Sequence, residues 1–246
     1  MSVQAPSEVD LTQPRSAPEL LSLAVALFTR HAGLFLSVTL LIVAPVVVLV
    51  DGVWGGALRD GADYSPGTGP STAALFLTSF VTPALVTALH AVIVRDLGAG
   101  RVATVGAALR EAAPALPRAF AVVALSTVGV MLGLIALIVP GIWLAVCWYF
   151  GAQAAVLEGL GPVAALRRSA AQVRGRWLET FGALLLCAIA FGVAAFVLMT
   201  IASALFLALD SALLFVVALT VVQAVAVSLS ALFGTLLWFS HRATRP

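Results

Sequence analysis

Long apolar runs separated by short polar connections dominate the pattern along this chain. A helix needs about 20 consecutive apolar residues to cross the hydrocarbon core of a bilayer. Six segments approach that length, and the fourth is the shortest. The sequence therefore predicts six membrane-spanning helices, at residues 34–50, 71–94, 119–139, 142–157, 181–202 and 213–239.

The polar connections indicate how these helices are oriented. One group comprises the amino-terminal tail, the 95–118 and 158–179 connections and the carboxyl terminus. It contains every arginine except Arg59, which lies among aspartates in the remaining connections. Loops on the cytoplasmic side of membrane proteins are enriched in Lys and Arg. We therefore expect an even number of spans, with both termini cytoplasmic, in the cell (inner) membrane.

Some cytoplasmic connections also have the three-to-four-residue apolar spacing of amphipathic helices. Residues 19–34 predict a helix lying in the membrane interface, with an extension of the first spanning helix as the alternative. Residues 18–36, 104–122 and 162–180 share one plan, in which a proline or capping residue precedes an amphipathic helix and a spanning run. We interpret them as a threefold repeat, although basic connections can also resemble one another by chance.

These patterns predict an all-α, polytopic membrane protein. Its six transmembrane helices would form three hairpins, with amphipathic helices at the cytoplasmic face. Residues 1–18 are expected to be a disordered cytoplasmic tail, 19–240 a six-helix membrane domain and 241–246 a second cytoplasmic tail. The composition agrees, because 62% of residues are hydrophobic and only 10% are charged, against about 25% charged in soluble domains.

Proline and glycine indicate the local geometry of the spans. Pro140 and Gly141 predict the hairpin turn between the third and fourth helices, because proline cannot continue a helix and glycine accepts a left-handed turn. Gly133 would then allow close packing of the two helices, together with Gly129. Pro45 and Pro83 predict helix kinks near the membrane midplane. The alternative is that these paired interruptions mark a substrate site.

The most basic segment, residues 158–177, carries the candidate binding residues. Near a membrane surface, each arginine favours anionic headgroups by about 1 kcal/mol. The candidates for binding a lipid headgroup or a protein partner are Arg167, Arg168, Arg174 and Arg176. The topology rule alone would also place arginines here. Glu158 is expected to form a structural ion pair with Arg167, Arg168 or Arg95.

Several short motifs in this region point to a known family. They are P-G-I-W-L at 140–144, E-G-L-G-P at 158–162, A-L-R-R-S at 165–169 and R-G-R at 174–176. With them the chain resembles the membrane domain of bacterial glycerophosphoryl diester phosphodiesterases and its stand-alone relatives. The resemblance implies a multi-span membrane module of unassigned activity. The six predicted spans leave no room for a soluble catalytic barrel, so the phosphodiesterase activity is not carried over.

The spans offer little for catalysis. Their main polar groups are His90, Gln153 and Gln223, and no Ser–His pair, metal-ligand cluster or phosphate loop is recognisable. His90 is expected to be an interfacial polar residue, and Cys147 and Cys187 to be small core residues.

The sequence therefore favours a non-enzymatic membrane module, without cofactor or metal, that binds lipid headgroups or a partner through a basic cytoplasmic face. The alternative is a transporter or flippase-like protein for a small or amphipathic solute. A lipid-modifying enzyme is less favoured, because the spans lack buried carboxylates. The expected partners are membrane lipids, anionic ones included, and not nucleic acid. The identity of a protein partner is unknown from the sequence.

Overall fold

The computed structural model describes residues 9–54, 82–209 and 211–244. Within these ranges the chain is almost entirely helical, and no strand occurs. The helices are α1 (Ala17–Arg30), α2 (Ala32–Val47), α3 (Thr82–Gly98), α4 (Val105–Ala112), α5 (Leu116–Ala136), α6 (Ile138–Trp148), α7 (Gly151–Leu157), α8 (Pro162–Val173), α9 (Trp177–Leu209) and α10 (Ala212–Ala243). A π-helical segment, Val48–Trp54, continues α2, and a 3₁₀ turn, Ala113–Ala115, precedes α5.

Five helical stretches of the described chain are long and apolar enough to cross a membrane. They are Ala32–Val50, Val105–Ala136, Ile138–Leu157, Trp177–Leu205 and Leu213–Ala243. The prediction of an all-α protein with several potential spanning helices is thereby confirmed. The second predicted span begins at residue 71, and residues 71–81 lie outside the described ranges. Its carboxyl-terminal part coincides with α3.

Helix α10 lies at the centre of the bundle, where it packs against α1, α2, α3 and α9. Residues 231–238 are all buried, and the side chains of Phe233 and Trp238 have no exposed surface. The outer parts of α5 and α9 instead present large apolar side chains, such as Ile135 and Phe196. These faces suit a hydrocarbon environment, in which apolar exposure carries no penalty.

The connections rich in arginine meet at one end of the bundle. Arg118, near the start of α5, donates a 2.7 Å hydrogen bond to the carbonyl of Gly159 beyond α7. Arg242, near the end of α10, lies 3.4 Å from Glu158 at the end of α7. We call this end the basic end, and define it by Arg95, Arg118, Arg168, Arg176 and Arg242.

The turn between α5 and α6 is not where the sequence predicted it. Leu137 is the extended residue that separates the helices, with φ −164° and ψ 146°. Pro140 and Gly141 lie in the first turn of α6, which begins at Ile138. Proline is tolerated there because the N–H groups of a first helical turn have no intrahelical partner. The prediction of a hairpin turn at Pro140 and Gly141 is therefore wrong.

Gly141 has a packing role instead. A Cβ atom placed on Gly133 of α5 would lie 2.9 Å from the Cα of Gly141, so the two backbones are in direct contact. Gly129 faces the ring of Trp148 in the same interface. The close approach of these helices, predicted from the two glycines of α5, is present in the structure.

Three short helices, α1, α4 and α8, each precede a long apolar helix, and each begins with a recognisable start signal. The backbone N–H of Ser16 donates to the Glu19 carboxylate at 2.9 Å before α1, and this bond lowers the pKa of Glu19. The Thr104 hydroxyl accepts from the Ala107 N–H at 3.2 Å in α4. Pro162 opens α8. Thus the three segments interpreted as repeats share the same order of helices.

The segment before α1 is packed against the bundle. Val9 is only 4% exposed, and Leu11 fills the space beside Gly98. The Arg15 N–H donates to the Ser240 hydroxyl at 2.9 Å, and that hydroxyl donates back to the Arg15 carbonyl at 3.2 Å. Residues 9–16, part of the tail predicted to be disordered, therefore lie across α10.

Candidate binding sites at the basic end and inside the bundle

Glu158 joins three helices at the basic end. Its carboxylate accepts two hydrogen bonds from Arg168 of α8, one from Nε at 2.8 Å and one from Nη2 at 3.1 Å. Arg242 of α10 approaches the same carboxylate at 3.4 Å. Arg168 also lies 5.7 Å above the ring of Trp238, a cation–π distance. Among the three partners expected for Glu158, the structure places Arg168 in the ion pair.

Buried polar contacts hold α8 against the bundle. Ser169 donates to the Cys147 carbonyl at 2.7 Å and accepts from the Phe150 N–H at 3.0 Å, at the break between α6 and α7. Gln172 donates to the Trp238 carbonyl at 2.9 Å. Both side chains are buried. The Ser169 bonds satisfy backbone groups at the helix break, and together with the Gln172 bond to α10 they fix which face of α8 points outward.

The four candidate arginines of this region fall into two pairs. Arg168 is bound to Glu158, and Arg176 contacts Glu179 at 3.1 Å and the Thr244 hydroxyl. The other pair is exposed and makes no hydrogen bond or ion pair within the described part of the chain. It consists of Arg167, on the outward side of α8, and Arg174, the residue that follows the end of the helix.

Elsewhere at the basic end, arginines are either neutralised or exposed. Arg95 contacts Glu111 at 2.7 Å, and this hydrogen bond raises the pKa of Arg95. Asp96 accepts from both Arg95 and Arg101. Arg30 and Arg110 are exposed and, among the described residues, have no acidic partner. Arg118 bonds only to a neutral carbonyl, so among the described residues positive charge without an acidic partner lies at Arg30, Arg110, Arg118, Arg167 and Arg174.

His90 is buried inside the bundle and not at the interface where the sequence placed it. Its Nδ1 lies 2.9 Å from the Val86 carbonyl, and its Nε2 lies 2.8 Å from the Ser228 hydroxyl of α10. Since a carbonyl only accepts, Nδ1 carries the proton and Nε2 accepts from serine. Phe35 of α2 stacks on the ring at 5.2 Å. The residue thus links α2, α3 and α10 structurally.

A cavity of about 470 Å³ lies between α3, α5, α7, α9 and α10. Its wall is mostly apolar, and its polar groups include Thr87, Gln153 and Ser230. Gln153 is only 3% exposed, and its Oε1 atom has no hydrogen-bond partner in the described part of the protein. The cavity has the size and composition of small-molecule sites.

The two prolines considered as a paired site are not brought together here. Pro83 lines the cavity, whereas Pro45 is exposed on α2, just before its π-helical end. Among the described residues, no group of three His, Cys, Asp or Glu side chains is placed to hold a metal ion. Cys147 and Cys187 are both buried free thiols.

A family model for a domain of unknown function, DUF7847, matches residues 10–239. The chain belongs to this family. No curated protein and no solved structure matches the chain. The match includes α1 to α9 and most of α10, so the cavity lies within the DUF7847 domain, as does the basic end apart from Arg242.

Sequence reasoning found only part of the cavity of this DUF7847 domain. Gln153 stands out as a polar residue within an apolar run, and Pro83 as an interruption. Thr87, Cys187 and Ser230 are small residues on three different helices, with no common spacing. Only the packing of those helices brings them together, so no local signal identifies them.

Proposed function

We propose that this chain is a non-enzymatic membrane module that binds anionic phospholipid headgroups through its basic end. In this proposal six spanning helices form three hairpins in the cell membrane, and both termini and the basic end are cytoplasmic. The arginine asymmetry of the connections supports the orientation. The motifs at 140–176 support kinship with the membrane domain of glycerophosphoryl diester phosphodiesterases.

The exposed face of α8 carries the proposal. Arg167 and Arg174 are charged, exposed and unneutralised by the described residues, while Ser169 and Gln172 hold the opposite face in the bundle. A docked helix presents its charges in a fixed position, which lowers the entropic cost of binding a phosphate. Guanidinium groups also match phosphate geometry well. Arg168 and Arg176 contribute less, because protein groups already occupy them.

The contacts of the buried His90 side chain support a structural and not a catalytic role for this residue. Both ring nitrogens of His90 are engaged with Val86 and Ser228, and Phe35 covers the ring. A general base needs a free nitrogen near its substrate. We therefore assign no catalytic residue and no cofactor.

The test is a titration of the purified protein, in a neutral detergent, with dioctanoyl phosphatidylglycerol and with dioctanoyl phosphatidylcholine. We expect the anionic lipid to bind more tightly. Each arginine is worth about 1 kcal/mol near anionic lipid, so replacing both Arg167 and Arg174 with Gln should weaken its binding about 30-fold. Binding should also weaken as salt is raised.

Arg101→Gln is the control for each single replacement, Arg167→Gln or Arg174→Gln, because it likewise removes one positive charge but from a group already bonded to Asp96. Its affinity for phosphatidylglycerol should stay within about twofold of the wild type. Equal affinity for the two lipids in the wild type would contradict the proposal. If lipid preference survived in the double variant while a protein partner was lost in a pull-down, partner docking would replace lipid binding.

The cavity favours a second candidate function, the transport of an amphipathic solute. Flux of a fluorescent lipid analogue across reconstituted vesicles tests it. Faster flux in vesicles containing the protein than in empty vesicles would favour transport, and equal flux would leave the lipid-binding module as the better account.

A further inference from the structure

The cavity inside the bundle opens sideways along α9, toward the apolar outer surface of that helix. We propose that it holds the end of one acyl chain of a membrane phospholipid, which enters from the hydrocarbon core of the bilayer. This inference rests on the proposed orientation of α9 across the membrane. It requires neither headgroup binding at α8 nor transport, because the cavity selects the chain by its length and its apolar character.

One edge of α9 forms the mouth of the cavity. The residues of this helix that line the cavity lie on one side of it, and they are Cys187, Ala188, Phe191, Gly192 and Ala195. Cys187 and Phe191 are buried, whereas Ala188 and Gly192 are exposed. Residues four apart lie one above the other on a helix, so the row from Ala188 to Gly192 marks the line where the cavity meets the outer surface.

The surface beside this mouth suits hydrocarbon. Ile189, next to Ala188, is 55% exposed, and Val193, next to Gly192, is 58% exposed, and neither side chain lines the cavity. Large apolar side chains grouped on an outer surface are typical of contact with a membrane. A Cβ atom added to Gly192 would meet no atom within 4 Å. A chain can therefore pass from the bilayer into the cavity without crossing water.

The wall favours hydrocarbon over a charged or strongly polar ligand. None of the described residues that line it is charged, so an ion would lose its hydration without gaining a partner. Ser230 donates to the Ala226 carbonyl at 2.8 Å and is also hydrogen-bonded to Cys187. The Gln153 carboxamide oxygen is too deeply buried to meet a ligand. Water finds few partners on such a wall, whereas a hydrocarbon chain restores the dispersion contacts that an empty cavity forfeits.

The mouth lies at the depth where acyl chains end. Helix α9 begins at Trp177, directly after Arg176 of the basic end. At about 1.5 Å per residue, Ala188 lies about 17 Å and Gly192 about 22 Å from Trp177 along the helix. Each leaflet contributes about 15 Å of hydrocarbon, so the mouth lies near the bilayer midplane. A phospholipid therefore reaches the cavity with the methyl end of its chain and not with the ester end.

Photolabelling in phosphatidylcholine vesicles tests the proposal with two matched probes. Both are phosphatidylcholines with palmitoyl-length chains, and each carries one diazirine, either beside the terminal methyl group or beside the ester. We expect the methyl-end probe to label the inner wall, at Phe191 of α9 and Ala231 of α10, about fivefold or more strongly than the ester-end probe. Both residues are buried, so lipid on the outer surface does not touch them.

Two tryptophan variants show whether the chain enters through the mouth. Gly192→Trp should reduce labelling of the inner wall about fivefold or more, because the indole has open space around it and closes the mouth. Val193→Trp is the matched control, because it places the same ring at the same depth, on the exposed side of α9 that does not line the cavity. It should keep the labelling of the wild type.

Size-exclusion chromatography and thermal unfolding check that both variants fold. If Gly192→Trp is not monodisperse, Ala188→Trp replaces it, since it closes the same mouth from the other end. Full labelling of the inner wall in a folded mouth variant would overturn the proposal, because the chain would then enter elsewhere.

The wild-type protein provides two further outcomes that would overturn the proposal. One is equal labelling of Phe191 and Ala231 by the two probes. The other is labelling confined to exposed residues such as Val193, which would mean that lipid only coats the outer surface. Phosphatidylcholine carries no net charge, so either failure would leave headgroup binding at Arg167 and Arg174 untouched.

Discussion

The carboxylate of Glu158 offers the sharpest test of how the basic end is held together. Replacing Glu158 with Gln keeps the shape of the side chain but removes the charge that Arg168 and Arg242 share. We expect two couplings of different size, because the two arginines approach the carboxylate in different ways. Arg168 forms a bidentate ion pair with the carboxylate, with hydrogen bonds of 2.8 and 3.1 Å, whereas Arg242 makes one contact at 3.4 Å.

The structure sets the expected magnitudes. The side chains of Glu158 and Arg168 are 20% and 29% exposed, and a charge-assisted hydrogen bond in such a setting contributes about 1.5–3 kcal/mol. Arg242 is 45% exposed, and exposed ion pairs contribute about 0.2–1 kcal/mol. The coupling free energy of Glu158 with Arg168 should therefore exceed its coupling with Arg242 by about 1 kcal/mol or more.

Two double-mutant cycles measure these couplings through the free energy of unfolding, obtained from titration with a denaturing detergent and tryptophan fluorescence. The variants are Glu158→Gln, Arg168→Gln and Arg242→Gln, with the two doubles that contain Glu158→Gln. The cation–π contact of Arg168 with Trp238 cancels within its cycle, because Arg168→Gln removes it in the single and in the double variant. Raising salt should reduce the Arg242 coupling more.

The reasoning would be refuted if Arg242 proved to be the more strongly coupled partner. It would be refuted equally if the coupling with Arg168 fell below about 0.5 kcal/mol, the range of exposed pairs. Either result would mean that the hydrogen bonds between Arg168 and Glu158 do not hold α8 against α7. The buried bonds of Ser169 to the α6–α7 break and of Gln172 to α10 would then fix α8 alone.

Two further predictions concern packing. Gly133→Leu should lower the unfolding free energy by about 3 kcal/mol or more, since the leucine side chain would collide with the backbone of α6. In the control variant Gly182→Leu the new side chain points into open space, so the unfolding free energy should change by less than about 0.5 kcal/mol. Ser240→Ala should accelerate amide hydrogen exchange of residues 9–16 about fivefold to 30-fold, because it removes both hydrogen bonds to Arg15. Ser22→Ala, which loses only a local hydrogen bond, should leave that exchange unchanged. Similar exchange rates in both serine variants would mean that the Ser240–Arg15 hydrogen bonds do not hold residues 9–16 against α10.

The length and apolar character of the runs were enough to predict an all-helical protein with several helices that could cross a membrane. A segment in hydrocarbon must satisfy its own backbone hydrogen bonds, so an apolar run of sufficient length is restricted to a helix. That constraint is local, which is why α5, α9 and α10 were predictable from the chain alone. The start signals of α1, α4 and α8 are equally local, because a capping residue acts within three positions of itself.

Tertiary structure decided which groups meet. Arg167 and Arg168 are adjacent in the chain, and only the docking of α8 through Ser169 and Gln172 directs one toward Glu158 and the other outward. The turn lies at Leu137, three residues before Pro140, and α6 begins early enough to place Gly141 against Gly133 of α5.

The cavity likewise exists only after α3, α5, α7, α9 and α10 have packed, since each contributes residues to its wall. Hydrocarbon imposes helix on each segment separately, but close packing between helices depends on side-chain shapes from distant parts of the chain. For this reason the sequence alone predicted helices long and apolar enough to cross a membrane, and the assembled bundle alone decided which arginines stay free and where Gln153 is buried.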